Sequence, residues 1–593
     1  MHKHLKAVNW IIALIGVLIA VLLISIGFEY YFDLNDDVLM KDIISGVYSG
    51  RAESRNIQML WPISAVLSAL YSAFPTIPWY GILLLVFQYG SIFVICARLL
   101  NIFDDGELYG AAQAGRIAVK VLICWGFIAF FTALMLTHLV NIQYTVTVAM
   151  MASSAVVYMA TSDTSGRAFE FVKSNAYTII IIFLGFLLRS EMMLLMLPFI
   201  CLTGLFIWSF EDKFLTLGNV ARYLTLFFTI IGVLLVGLLI NKAAYSSKDW
   251  KEFTALFDAR TTLYDYEVIP EYEGNEAFYD GQNISKTCAY LFKNYDYGMN
   301  PNIDSSLMDS VAKYADSLRK DEKSFTVRFR EKLRLYIYEL THGPQSTGSD
   351  FPWNLVAGLL YLTVIAVTLV QRDFWGLLRP LLLFLGRSAI WMYILMGDRA
   401  PERITHSLYF MEIAVLVANI LLLYLYGSRN KSSFLRIVPS LLGVILLVFS
   451  GYLLWKNIPI LSADAARREQ LNAPYTELYE YTSSDTDVFY FMDVYSSVDA
   501  SEKLFGPERL LTKKNIELLG GWFYKSPSHA KKLLAYNIKE PSRALLKNGV
   551  YYINDNEEPM DWIYELYKER GINVNISEID KIGGVFTVYA IRE

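Results

Sequence analysis

The chain has little charge and little cysteine for its size. Over 593 residues only 18% are Asp, Glu, Lys or Arg, against about 25% in an average soluble protein. A string of about four soluble domains, the usual expectation at this length, does not fit that composition. The four cysteines are scattered: Cys96, Cys124 and Cys201 fall in apolar runs and Cys288 stands alone in a polar stretch. No Cys-x-x-Cys or Cys/His spacing suits a metal and no pair suits a structural disulfide, so they read as small buried hydrophobes without redox chemistry. A net charge of −5 and the lack of any basic run exclude nucleic acid as a partner. No G-x-G-x-x-G or P-loop pattern opens a helix, so nucleotide binding is unsupported.

What is abundant is apolar and aromatic. Hydrophobic residues reach 55% and aromatics 15%, and the mean hydropathy is +0.36. That balance describes an α-helical polytopic membrane protein with substantial polar parts. Apolar runs at 7–28, 79–99, 117–140, 144–160, 176–189, 191–210, 222–241, 352–371, 373–396, 405–427 and 434–455 predict eleven transmembrane helices. The first follows a basic start and is too long for a signal peptide, so it is expected to stay as a span. The run 57–74, broken by Pro62 and three serines, is placed in or on the outer leaflet. With that choice Arg98, Lys120, Arg167, Arg222 and Arg379 fall inside and the short outer segments keep few cations, as the positive-inside rule requires. The N-terminus is then cytoplasmic.

Two domains follow: a transmembrane domain over 1–455, with extracytoplasmic loops 29–78 and 242–350, and an extracytoplasmic α/β domain over 456–593. In the latter, Asp487–Asp493, Val550–Ile553 and Gly584–Ile591 read as strands. Ser528–Asn537, Pro541–Lys547 and Met560–Arg570 read as helices.

Four clusters bear chemistry. Asp36 and Asp37 precede a short helical pattern; Asn35 or Asp36 serves either as an N-cap, or one of the acids acts as general base on a hydroxyl at the membrane surface. Arg189 and Glu191 lie at an outer turn between apolar helices, where charge is costly and often functional, or simply form an interfacial pair. Arg399 and Arg403 are four apart and share a face if a helix has begun, a spacing that clamps a phosphate; His406 and Glu412 follow on the same helix. The alternative is a loop of snorkelling cations. Arg260 and Asp265, among aromatics at the head of the large loop, suit sugar hydroxyls or mark a surface helix. In one topology all of these fall outside, where a transferase acting on a phosphate-bearing lipid needs them.

With Asn35-Asp36-Asp37, Gly46-Val-Tyr-Ser-Gly50, Pro78-Trp79-Tyr80, Leu188-Arg189-Ser-Glu191 and Arg399-Ala-Pro-Glu-Arg403, the sequence resembles the GT-C superfamily of polytopic glycosyltransferases. That resemblance implies inverting transfer of a sugar from a polyprenyl-phosphate donor to an extracytoplasmic acceptor: a cell-wall polymer, surface polysaccharide or glycolipid. It makes Asp36 or Asp37 the catalytic base and gives the lipid phosphate to Arg189, Arg399 and Arg403. It leaves donor and acceptor contacts to Glu191, Arg260, Asp265, His406 and Glu412. It implies no required metal, although the acidic loop is open to a divalent cation, and a bacterial plasma membrane is the expected location. The Trp-Trp-Asp-Tyr-Gly motif of oligosaccharyltransferases is missing. Arginines at a membrane face equally suit a transporter or flippase for a lipid-linked or anionic molecule, and a separate outer domain suits a non-catalytic assembly protein.

Overall fold

Long apolar runs leave the backbone no solvent to bond, so they satisfy their N–H and C=O groups internally as helices. The computed structural model of the chain describes residues 2–102, 113–211, 214–322, 324–343, 350–426, 433–557 and 559–593. Helix α1 (His2–Gly27) leads through strand β1 (Tyr31–Phe32) into α2 (Asn35–Ser45), α3 (Trp61–Ala73), α4 (Trp79–Ile102) and α5 (Gln113–Val140). Strand β2 (Asn141–Ile142) pairs in parallel with β1. Then come α6 (Tyr144–Ala160), α7 (Ala168–Ser174), α8 (Ala176–Leu188), α9 (Ser190–Trp208) and α10 (Leu217–Ala244). The large loop holds α11 (Lys248–Tyr266), α12 (Glu276–Gly281), α13 (Lys286–Lys293), α14 (Ser305–Glu322) and α15 (Phe325–Thr341). The membrane part closes with α16 (Trp353–Val370), α17 (Leu378–Met396), α18 (Glu402–Tyr426) and α19 (Ser433–Ser484).

Nine helices among the described residues are long and apolar enough to cross a membrane, and α7 with α8, bent by 60°, makes a tenth if the pair is one span. The chain is thus a multi-pass helical membrane protein. Of the eleven expected crossings, 176–189 is the second arm of that bent pair, and 144–160 is the 17-residue α6. Every residue of α6 except Tyr158 is buried, as befits a helix apolar all round in the centre of a bundle. Helix α3 has 13 residues, about 20 Å at the helical rise, well short of a hydrocarbon core. Cys201, expected to be buried, is exposed on the bundle exterior.

Three arginines gather at one end of the bundle. Arg98 donates to Thr161, Arg222 pairs with Glu211 at 3.2 Å, and Arg379 donates to Ser209. All three are at the end of their helices remote from Tyr80, whose hydroxyl reaches Asp37.

The C-terminal part carries a five-stranded sheet in the order β4-β3-β5-β7-β6. Strands β3 (Phe489–Met492) and β4 (Ile516–Leu518) are followed by α20 (Pro527–Ala535), α21 (Pro541–Ala544), β5 (Val550–Asn554), α22 (Asp561–Glu569), β6 (Asn575–Ile582) and β7 (Phe586–Arg592). β4, β3 and β5 are parallel, and β7 and β6 add antiparallel. Two strands escape the sequence reading: three-residue β4 is too short for a period, and β6 is mostly exposed.

The expected separate module over 456–593 is not separate in its packing. Leu263 of α11, Phe292 of α13 and Val311 of α14 share one hydrophobic cluster with Phe491 of β3, Tyr552 of β5 and Leu566 of α22. The loop of 242–350 and the sheet therefore bury one another. Their seam is tight at Gly520, where a Cβ would lie 1.7 Å from the Tyr295 carbonyl oxygen. Backbone cannot yield there as a side chain would, so Gly520→Ala is expected to cost about 3 kcal/mol by overpacking. Limited proteolysis of the full chain would show the loop of 242–350 cleaved faster; unchanged cleavage would contradict the tight seam.

Candidate functional site

Residues 30–32 are threaded between the bundle and the sheet domain. Tyr31 and Phe32 pair with Asn141 and Ile142, while Phe32 donates to the Glu502 carbonyl and Leu504 donates to that of Tyr30. This three-way clamp fixes where α2 starts. Leu34 is the N-cap and gives no side-chain cap bond, so the anticipated cap by Asn35 or Asp36 is not formed. Both acids instead fall in the first turn, where the helix dipole favours negative charge.

The two carboxyls have different surroundings. Asp37 is fully buried; its Oδ1 accepts from the Tyr80 hydroxyl at 2.7 Å and its Oδ2 has no partner. Burial pushes this carboxyl well above the ordinary range, against the pull of Tyr80 and with Asp36 and Asp33 adding to the rise. Asp36 is half-buried, accepts from the Trp522 indole N–H at 2.9 Å, and faces a cavity of about 420 Å3. That cavity is bounded by α2, by Arg260 and Tyr295 of the large loop, and by the segments after β3 and β4. It therefore opens at the carboxyl ends of parallel strands, the usual ligand position in an α/β sheet.

Ion pairs lock α2 to the sheet domain along this wall. Asp42 bonds Lys41 at 2.5 Å and Lys513 at 2.7 Å, Lys41 reaches Glu502 at 2.6 Å, and Lys532 pairs with Glu517 at 2.9 Å. Tyr48 donates to Glu517 at 2.8 Å. Burial would raise Asp42, but Lys41 and Lys513 together hold it below its usual value. The links of this network that join α2 to the sheet domain were not legible in the sequence, because Asp42 and Lys513, Lys41 and Glu502, and Tyr48 and Glu517 lie hundreds of residues apart.

Beneath it His529 is buried against Tyr524 with its Nε2 unpartnered. Burial lowers this imidazole to about 4, with Glu517 opposing and Lys532 and Lys525 assisting. The unfolded chain, at about 6.5, takes up a proton between pH ~6.5 and ~4 that the folded chain refuses. This contribution is complete above that window and falls as pH drops through it, by up to about 3 kcal/mol. His529→Gln is expected to flatten this acid limb in denaturation curves taken from pH 4 to 7; an unchanged limb would refute the assignment.

At the bundle side of α2, Arg189 donates to Gln58, pairs with Glu191 at 3.2 Å and lies over the Tyr144 ring at 5.0 Å. Glu191, Asp36 and Asp265 all act on it electrostatically. Arg260, Asp265 and Arg399 act together on Tyr295. Asp36, Arg189, Glu191, Arg260, Asp265 and Arg399 thus belong to one polar region.

The remaining expectations need correction. Helix α18 starts only at Glu402, after Pro401, so Arg399 and Arg403 do not share a helical face. Arg399 is committed to Asp265 at 2.6 Å and Tyr266. Arg403 is half-buried, and no side-chain hydrogen bond or ion pair engages it among the described residues. His406 bonds His138 at 2.9 Å and stacks on Trp353, and neither histidine lines the cavity. Glu412 forms a buried pair with Arg387 at 2.9 Å and accepts from Tyr361 at 2.8 Å, which is a bundle-core role. No group of three or more His, Cys, Asp or Glu side chains placed to hold a metal ion occurs among the described residues.

Among solved structures, the chain is similar to ArnT from Cupriavidus metallidurans in the apo state. The TM-score is 0.40 and the identity 8%, over 98% of each chain. It is likewise similar to ArnT from Cupriavidus metallidurans bound to undecaprenyl phosphate, with TM-score 0.39 and 9% identity over 97% of each chain. No family model and no curated protein matches the sequence.

Proposed function

We propose that this chain is an integral-membrane glycosyltransferase of the GT-C type. It moves a sugar from a polyprenyl-phosphate donor to a hydroxyl of a cell-envelope glycan or glycolipid, with inversion. The observation that carries this reading is Asp36, placed between a cavity in the outer domain and an arginine-bearing region at the end of the bundle. The Asp36 carboxylate takes the proton of the acceptor hydroxyl. The freed oxygen attacks the anomeric carbon as its bond to the phosphate oxygen breaks, and that electron pair leaves on polyprenyl phosphate. One displacement inverts the centre. Arg189 and Arg403 neutralise the leaving phosphate through charge-assisted bonds, with no metal required. Arg399 holds Asp265, and with it α11, over the site. Asp37, pushed toward its neutral form by burial, fixes Tyr80 and the start of α2.

The reading puts the site outside the cytoplasm of a bacterial plasma membrane. The N-terminus is then inside and the arginines gathered at the far end of the bundle are cytoplasmic. The test is direct. Purified protein is given a panel of polyprenyl-phosphate sugars, and released polyprenyl phosphate is followed by mass spectrometry. Release with one donor is expected. No release from any donor, even with cell-envelope acceptors added, would shift the reading to a transporter or flippase.

A further inference from the structure

Four consecutive backbone N–H groups, those of Gly520, Gly521, Trp522 and Phe523, have no acceptor among the described residues. All four residues line the cavity, and all but Gly521 are buried, although buried backbone donors nearly always find a partner. Gly521 adopts φ +93°, and a left-handed residue in a turn gathers neighbouring N–H groups into a concavity suited to an anion. Arg260 lines the same cavity. Its Nε is buried and unpartnered, and its guanidinium is held by the rings of Tyr264 and Tyr295, at 5.5 and 6.0 Å from their centroids. The other cations of the wall are committed: Lys513 to Asp42 and Lys532 to Glu517. The four N–H groups and Arg260, whose guanidinium also bonds Tyr297 while its Nε stays unpartnered, thus belong to residues lining one small space that also holds Asp36 and an aromatic wall.

We infer that this cavity binds an anionic sugar acceptor, whose carboxylate or phosphate is held by Arg260 and the Gly520–Phe523 turn. Its ring then packs on Trp522 or Tyr295 and a hydroxyl reaches Asp36. The last point rests on the transferase reading; the anion site does not.

Binding to the purified full-length chain without donor separates the two. Isothermal titration with glucuronate, glucose 6-phosphate and glucose is expected to show the charged probes binding at least about tenfold tighter, the worth of one charge-assisted bond. Arg260→Gln should erase that preference and Arg260→Lys should keep part of it. Equal binding of charged and neutral sugars by the wild type, or an unaltered preference in Arg260→Gln, would overturn the proposal. Hydrogen exchange on the wild type gives a second readout that needs no variant. Amides 520–523 should slow with glucuronate and not with glucose, and unchanged exchange would count against the site. Displacement of glucuronate by a short-chain polyprenyl phosphate would assign the anion site to the donor and overturn the acceptor assignment. Charge preference without transferase activity would retain the site and discard the enzyme reading.

Discussion

Asp36→Asn is expected to lower sugar transfer by about 10²–10⁴-fold, the usual worth of a general base, with little change in fold. The amide oxygen can still accept from the Trp522 indole, so the loss reports the missing proton acceptor and not a missing contact. Asp37→Asn should behave differently. Its carboxyl is already pushed toward the neutral form by burial and accepts from Tyr80, and an amide reproduces that state. A loss within about tenfold is expected there. Initial rates of polyprenyl phosphate release from the two single variants decide the matter. Equal losses would mean that the adjacent acids cannot be assigned separate roles, and a larger loss in Asp37→Asn would reverse the assignment.

The second large effect concerns stability. Glu412 and Arg387 are both 1% exposed at the side chain and meet at 2.9 Å. The guanidinium is ringed by Tyr336, Trp391 and Tyr409. Removing one partner leaves a charge buried and uncompensated, so Glu412→Leu is expected to destabilise the protein by about 3–5 kcal/mol. The double variant Arg387→Met/Glu412→Leu should recover most of that, because two apolar side chains cost little in the same space. Unfolding in a mixed-micelle titration of the single and double variants measures the coupling. A double variant as unstable as Glu412→Leu would show that the loss comes from packing and not from the orphaned charge.

The membrane helices and the acid pair were legible because they depend on local signals. An apolar run announces a helix, and two adjacent aspartates beside a span are conspicuous. Arg189 and Glu191 stood out for the same reason, being charges where none is cheap, and the fold sets them as a pair beside Tyr144. The Arg399/Arg403 clamp failed on a local detail of the opposite kind: Asp398 takes a positive φ and α18 begins after Pro401, so a spacing of four residues did not mean one face. Glu412 was misjudged because its partner, Arg387, belongs to another span. The cavity itself was invisible. Trp522 meets Asp36 across almost the whole sequence, and Lys513 and Lys532 are ordinary surface-like lysines until the fold brings Asp42 and Glu517 to them. Gly520 and Gly521 carried a hint, since adjacent glycines after an apolar strand mark a close backbone approach.

Helix α19 runs unbroken over 52 residues from Ser433 to Ser484, about 78 Å at the helical rise. It lies along α5 in the bundle, and Leu478, near its far end, packs with β-sheet residues Tyr490 and Val588. Pro459 and Pro474 fall between these two attachments, and each removes one backbone hydrogen bond of the rod without ending it. A change in tilt or rotation of the membrane part of α19 therefore reaches the sheet, and through it the turn bearing Trp522, along one continuous helix that can bend at two prolines. One helix thus couples the heading of the sheet domain to that of the bundle, with the two prolines setting how closely.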